Sequence, residues 1–268
     1  LLHDEPLRDL SDRPLVDQTI IPVALRQPGV GVYGTIYPTQ LSKLDYELYV
    51  TNGFKDDIQG QKGLKDARFP KTDNNDGKSI VGRIAFSPIL GIEIGGSGFF
   101  GAYDDKSKRP LAIWALDWTI LRGPFELIGE AAWSYARDNH LNDCGSTKGP
   151  FVACPRRMFG YYIQGNFHFL PPILTRLAPT FFRPEISTFT AVLRWEQLDL
   201  NKDFDGNTIS KGNGAEKERL TVGLNFRPTE DTVFKLDFQY SPKAIGSFAG
   251  VTAPVHDTAF VASWATYF

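Results

Sequence analysis

Along most of the chain, apolar and polar residues alternate one by one, and the helical spacing of three and four residues is scarce. In the stretch 42–54, Leu44, Tyr46 and Leu48 fall on one face. Asp45 and Glu47 fall on the other. Because successive side chains of a β-strand point to opposite faces of the sheet, this stretch is predicted to be a strand with one apolar and one polar face.

The same alternation recurs along the whole chain and predicts an all-β fold of 11 strands. Most of these stretches run about ten residues, the length that a tilted strand needs to cross a bilayer. A soluble β-sandwich also alternates, but its strands are usually about 5–6 residues long. Aromatic residues near the predicted strand ends suit girdles at two membrane interfaces. They are Tyr37, Phe54, Phe100, Tyr135, Phe169, Trp195, Tyr240 and Phe268.

The connections between the predicted strands alternate between long and short. The long ones are polar and rich in Gly, Asn, Asp and Lys, and the longest are 55–79, 136–157, 197–216 and 241–257. Short turns are predicted near 87–88, 121–124 and 227–231, with a medium turn over 170–182. Long loops on one side and short turns on the other are typical of an antiparallel transmembrane β-barrel, which we predict over 27–268.

The first part of the chain, 1–26, follows no strand pattern and is interrupted by Pro6, Pro14 and Pro22. We expect an extended loop segment that folds into the barrel as a plug or constriction. The chain shows neither a starting Met nor a signal-peptide pattern, so we interpret it as a processed or truncated product.

Composition limits the ways in which the chain could span a membrane. The chain of 268 residues is 42% hydrophobic with a mean hydropathy of -0.23. Its longest stretch without Lys, Arg, Asp or Glu, 158–175, contains polar residues and two prolines, which argues against a membrane helix. If the protein spans a membrane, it must do so as a closed sheet. A net charge of -2 argues against nucleic acid as a partner.

Two cysteines, Cys144 and Cys154, lie in a loop-like stretch. A close pair in a loop favours a disulfide in an oxidising compartment, and two free thiols are the alternative. Two cysteines alone are too few for a four-ligand metal site.

The last nine residues, 260–268, resemble the assembly signal that ends bacterial outer-membrane barrels, with Phe260, Trp264 and Phe268 at the matching positions. Several short stretches also resemble the phosphate-selective porin O and P family. These are His3-Asp4-Glu5-Pro6, Asp12-Arg13-Pro14-Leu15, 28–34, 44–54 and 194–199. In that family the first of these stretches follows several strands, so the resemblance implies missing N-terminal strands and a parent barrel of about 12 to 18 strands.

The resemblance implies a porin of the bacterial outer membrane, in contact with its lipid. It would allow passive diffusion of small hydrophilic solutes or ions, including anions such as phosphate, and porins of this type are often homotrimers. The family's phosphate-binding residues cannot be carried over to this chain. The alternative is a plugged structural barrel that acts as a scaffold or as a subunit of an envelope complex. An open lumen would discriminate between the two.

Charged residues on the polar faces are the candidates for lining the channel. The basic ones are Arg83, Arg137, Arg183, Arg194, Arg219, Arg227 and Lys235. The acidic ones include Glu47, Glu93, Asp117, Glu126, Glu130 and Glu196. Rings of one sign bias ion choice, so this near balance predicts weak selectivity, or wall ion pairs that are only structural.

One loop offers a candidate calcium site, with oxygen ligands at Asp199, Asn201, Asp203 and Asp205. An EF-hand needs a Glu six residues after the glycine of its loop, but position 212 is Gly, so a solvated loop is the alternative. No other cofactor is indicated. The sequence lacks Gly-x-Ser-x-Gly, Walker-type and Cys-x-x-Cys motifs, and we predict that the protein is not an enzyme.

Overall fold

A computed structural model describes residues 5–21, 27–56, 58, 62–67, 77–137, 156–200, 202, 216–244 and 255–267. Within these ranges the fold is all-β, one antiparallel sheet in which each strand pairs with the next in chain order. The strands are β1 (Gly29–Ile36), β2 (Lys43–Thr51), β3 (Ser79–Ile89), β4 (Ile92–Ala102), β5 (Pro110–Arg122), β6 (Phe125–Ala136), β7 (Arg157–Phe169), β8 (Thr188–Asp199), β9 (Glu216–Thr229), β10 (Thr232–Ala244) and β11 (Val255–Thr266). The prediction of an all-β fold with 11 strands is confirmed.

The described helical elements are short: a 3-10 turn at Glu5–Leu7, α1 at Leu15–Thr19 and α2 at Pro172–Leu177. None of these helices is long and apolar enough to cross a membrane. The first two precede the sheet, where the sequence shows no strand pattern. The third lies in the predicted medium turn, and it begins at Pro172, a residue well suited to the first turn of a helix.

The sheet is open in the described part of the chain. β1 and β11 are its two edges, and each pairs with one neighbour only. The predicted closure into a barrel is therefore not formed by these residues.

The two ends of the sheet differ in their connections. Tight turns at 90–91, 123–124 and 230–231 lie at one end, and the longer connections between β2 and β3, β6 and β7, and β8 and β9 lie at the other. Gly91 and Gly123 have φ angles of 85° and 59°, a region that glycine adopts without a steric cost. The turn predicted near 87–88 lies at 90–91, because β3 continues through Pro88 to Ile89.

The two faces of the sheet are inverted relative to a water-soluble protein. We call the face that packs on residues 5–21 the inner face, and the opposite one the outer face. On β10, Lys235 of the inner face is 2% exposed, whereas Leu236 of the outer face is 62% exposed. Neighbouring strands repeat this order, with Arg194 buried beside exposed Leu193 and Thr221 buried beside exposed Val222. On these strands, polar side chains are thus buried and apolar side chains are exposed.

A small apolar core lies on the inner face, toward the end with the long connections. Leu15, Val16 and Ile20 from α1 and the residue after it pack there with Phe54 and Leu64 from the β2–β3 connection. Strand residues complete this core: Leu111, Ile113, Ala132, Met158, Tyr162 and Leu198. The core therefore fixes α1 against β5–β8 rather than joining two sheets.

Candidate functional site

Residues 5–21, the inner segment, follow the inner face from the tight-turn end to the long-connection end. At the tight-turn end, the guanidinium of Arg227 donates to the backbone carbonyls of Pro6 and Arg8, the latter at 3.2 Å. At the other end, Ile20 lies against Gly160 of β7, where an added Cβ would be 3.3 Å from its Cδ1. The segment therefore lies along the inner face from one end of the sheet to the other.

Strand side chains provide the hydrogen bonds that the inner segment cannot make within itself. Lys235 Nζ donates to the Glu5 carbonyl at 2.6 Å. Asn225 Nδ2 donates to the Asp9 carbonyl at 2.9 Å. Arg194 Nη2 donates to the Asp12 carbonyl at 3.0 Å, and Arg219 Nη2 to the Arg13 carbonyl at 3.1 Å. Because buried backbone carbonyls need donors, these polar residues hold an irregular chain in place.

Glu196 of β8 is the centre of this arrangement. Its side chain is 0% exposed and accepts a hydrogen bond from Arg219 Nε at 2.6 Å. It also forms an ion pair with Arg194 Nε at 3.2 Å. Its other oxygen accepts a hydrogen bond from the backbone N–H of Leu15, the first residue of α1, at 2.8 Å. Pro14 has no side-chain hydrogen bond to offer, so Glu196 caps α1 from the sheet and faces the positive end of its dipole.

Acidic side chains of the inner segment bind the sheet in return. Asp12 Oδ2 accepts from Gln239 Nε2 at 2.7 Å, and Asp9 Oδ2 accepts from Asn166 Nδ2 at 2.9 Å. The backbone N–H of Ser11 donates to Asp237 Oδ2 at 2.7 Å. The segment and the sheet thus each provide both donors and acceptors for the hydrogen bonds between them.

Asp17 of α1 is buried and shares a hydrogen bond with Glu130 of β6. Burial raises the pKa of Asp17 from 3.8 to about 6, because a charged carboxylate loses its hydration. The hydrogen bond to Glu130 and the nearby Arg194 act in the opposite direction but do not compensate. Two carboxyl groups in contact are stable when they hold a proton between them.

This contact predicts a pH dependence of stability. The Asp17 carboxyl binds its proton more tightly in the folded protein, so its contribution to the free energy of unfolding is greatest below pH 3.8 and falls as pH rises toward about 6. The decline should be on the order of 3 kcal/mol. We expect Asp17→Asn to remove this decline and to raise stability near neutral pH, as chemical unfolding at a series of pH values would show. An unchanged pH profile in the variant would contradict the assignment.

The hydrogen bonds of the inner segment described above reach β6–β10, and Ser11 Oγ lies 2.7 Å from Ser263 Oγ of β11, while the inner face of β2–β5 carries its own ion pairs. Arg83 of β3 makes two hydrogen bonds to the Asp117 carboxylate of β5, one of them at 2.7 Å from Nη2. Glu93 of β4 lies 3.6 Å from the same guanidinium. Glu47 of β2 is exposed. The polar surface of this part of the sheet is therefore accessible and of mixed charge.

Gly95 of β4 makes room for the Arg83–Asp117 pair. An added Cβ would lie 2.6 Å from both Arg83 Nη2 and Asp117 Oδ2. We expect Gly95→Ala to separate the pair and to lower the free energy of unfolding by up to about 1 kcal/mol, as measured by denaturant titration, because the pair is partly exposed. Gly96→Ala is the matched control, since its Cβ would make an ordinary contact 3.6 Å from Leu116. Equal stabilities of the two variants would contradict this interpretation.

The structure places the predicted channel-lining residues in three groups. Arg194, Arg219, Arg227, Lys235, Glu126, Glu130 and Glu196 lie on the inner face of β6–β10. Glu47, Arg83, Glu93 and Asp117 lie on the inner face of β2–β5. Arg137 and Arg183 lie outside the strands, just after β6 and shortly before β8.

The other predicted sites fall largely outside the described residues. Phe260 and Trp264 lie on the outer face of β11, Phe260 with 85% exposure, whereas Phe268 is outside. Cys144 and Cys154 are both outside. Of the candidate calcium loop only Asp199, the last residue of β8, is described, while Asn201, Asp203 and Asp205 are not. Among the described residues, no group of three or more His, Cys, Asp or Glu is arranged to hold a metal ion.

Sequence reasoning missed the residues of the inner segment that bind the sheet, chiefly Asp9, Asp12 and Asp17. A signal was present, because a segment without strand pattern carries acids at 4, 5, 9, 12 and 17. Interpreted together with the basic residues on the polar strand faces, those acids could have indicated a docked segment.

Comparison with known proteins gives a distant similarity. No family model matches the chain. The chain is 23% identical over 256 residues to an uncharacterized protein of Aquifex aeolicus (strain VF5), and the match covers 88% of this chain. It covers 53% of that protein, so the chain spans about half the length of the relative it matches.

Proposed function

We propose that the chain forms part of the wall of a transmembrane β-barrel in the bacterial outer membrane, and that this barrel is a diffusion porin narrowed by the inner segment. The observation that carries the proposal is the inversion of the sheet. A face on which Leu236, Phe234 and Trp264 are exposed would be covered by lipid acyl chains. The opposite face, which buries charged and amide side chains, would face the water-filled interior.

Closure of the barrel requires strands beyond the 11 described here. The free edges of β1 and β11 carry unpaired backbone groups, which are costly in lipid. An even number of strands is usual in bacterial single-chain barrels. We propose that a longer form of the chain supplies the remaining strands, giving about 12 to 18 in total. The greater length of the Aquifex aeolicus relative is compatible with this arrangement.

The route for solutes would run between the inner segment and the accessible inner face of β2–β5. Glu47, Glu93 and the Arg83–Asp117 pair would line it. Three carboxylates and one guanidinium line it, and Arg83 is offset by Asp117, so we expect small hydrophilic solutes and ions of either sign to pass with a weak preference for cations. The paired state of Arg83 gives no support to a preference for phosphate.

A plugged structural barrel is the second candidate. It is favoured by the number of buried and partly buried hydrogen bonds that hold the inner segment, from Lys235 at one end to Glu196 at the other. A segment fixed in this way and extended across the whole interior would block solutes. The two candidates share the same wall and differ in whether a path stays open.

Planar-bilayer recording on the full-length protein tests the proposal. We expect stable conductance steps and, under a salt gradient, a small reversal potential with the sign of cation preference, because acidic groups outnumber basic ones along the route. A folded and membrane-inserted protein that gives no steps would contradict the porin and favour the plugged scaffold. A protein that does not insert at all would contradict both.

A further inference from the structure

The connection between β7 and β8 presents an apolar helix face at the tight-turn end of the sheet. Ile173, Arg176 and Leu177 of α2 are exposed and fall on one side of the helix, because they are spaced by three and four residues. Leu177 is 75% exposed. Phe181, four residues further on, is also exposed. All residues of this connection are described. No described part of the chain covers this face.

This face continues into the apolar outer face of the sheet through a row of aromatic rings. The rings of Phe181 and Phe182 lie 5.9 and 5.4 Å from that of Phe226 on β9. Phe189 on β8 lies 4.5 Å from Phe226 and 5.9 Å from Phe169 on β7. The row follows the outer face across three strands. Whatever covers the outer face at this end also reaches α2.

We propose that α2 and Phe181 form an interfacial anchor that binds the anionic phospholipid leaflet on the tight-turn side of the membrane. The inference rests on the proposed function, since it takes the outer face to be in lipid. Ile173, Leu177 and Phe181 would enter the boundary between headgroups and acyl chains, where short amphipathic helices bury their apolar side. Arg176 lies on the same side and would reach a lipid phosphate, with its stem along the apolar surface.

Charge and continuity favour lipid over a protein partner. Arg176 is the one charged residue of α2, and the next two charges of the connection, Arg183 and Glu185, offset each other. The apolar surface does not stop at a polar rim, as a protein-binding patch would, but runs directly into the outer face. Near an anionic membrane surface, one arginine contributes about a fivefold preference.

A fluorescent label distinguishes lipid from water at this helix. In the full chain with Cys144→Ser and Cys154→Ser, a cysteine introduced by Leu177→Cys is labelled with nitrobenzoxadiazole. The labelled protein is inserted into phosphatidylcholine vesicles with or without phosphatidylglycerol. Asp231→Cys, in the exposed β9–β10 turn at the same end of the sheet, is the matched control. We expect iodide to quench the label at 177 several-fold less than at 231. Phosphatidylglycerol should increase this protection from iodide. In Arg176→Gln that increase should be about fivefold smaller.

Three results would overturn the anchor. One is equal iodide quenching at 177 and 231 in a protein whose heat-modifiable migration shows it folded and inserted, which leaves the proposed function intact. Another is protection at 177 that rises with protein concentration at constant lipid, which would assign the face to a second copy of the chain. Failure to insert would overturn the anchor together with the proposed function.

Discussion

Replacing Glu196 with alanine is expected to lower the free energy of unfolding by about 3–5 kcal/mol, the cost of breaking a buried ion pair by removing one partner. The side chain is fully buried, and its loss removes the carboxylate shared by Arg194 and Arg219, leaving Arg219 only its longer contact with Asp12 at 3.4 Å. The backbone N–H of Leu15 would also lose its acceptor, so α1 would lose its cap. Chemical unfolding of the variant measures the effect.

A matched variant separates this effect from a general loss of negative charge. Glu47 lies on the same face of the sheet but is exposed on β2, so Glu47→Ala should change stability by less than about 0.5 kcal/mol. Glu196→Gln should give an intermediate result, because an amide oxygen still accepts from Leu15. Equal small losses for Glu196→Ala and Glu47→Ala would contradict the role of Glu196 in holding the inner segment.

Releasing the inner segment is expected to raise the conductance of the proposed channel. Leu10 is buried against Gly223 of β9, and an added Cβ there would collide with the leucine and lie 2.8 Å from Asp237 Oδ1. Gly223→Val should therefore displace Leu10 and the neighbouring Ser11 from the sheet. Removing residues 5–21 should have the larger effect, because the inner faces of β6–β11 would then be open to water. Single-channel recording measures both.

The control for this substitution is Gly165→Val. Gly165 lies on β7 in open space, with no atom within 4 Å of an added Cβ, so the variant should conduct as the unmodified protein does. Conductance that stays constant in Gly223→Val and in the deletion, with both proteins inserted, would show that the inner segment does not restrict the route.

The strands could be predicted from the sequence because their signal is local. Alternation at 234–240 or 189–196 depends only on neighbouring residues and on which face is apolar. The apolar positions also indicated the outer face, since Leu236, Leu193 and Val222 are all exposed there. What the alternation cannot show is whether the first and last strands pair, because that depends on residues beyond the sheet edges.

The inner segment could not be predicted in detail for the opposite reason. Its contacts join residues far apart in the chain, such as Ser11 with Asp237 and Leu15 with Glu196, and no local pattern encodes them. The proline-interrupted sequence indicated an extended segment folding into the barrel, but not which residues it would contact. Arg137 and Arg183 were assigned to the polar strand faces, whereas both lie outside the described strands. The buried contact between Asp17 and Glu130 had no separate signal at all.

The most direct test of the central claim compares two adjacent residues of β2, a strand that the inner segment does not cover. Glu47 lies on the inner face and Leu48 on the outer face, and both are exposed in the described chain. In vesicles, with Cys144 and Cys154 replaced by serine, a water-soluble thiol reagent should label Glu47→Cys and leave Leu48→Cys unreacted. Denaturing the protein should make both react. Equal labelling of the two positions in the folded, vesicle-bound protein would contradict a membrane wall with a polar interior.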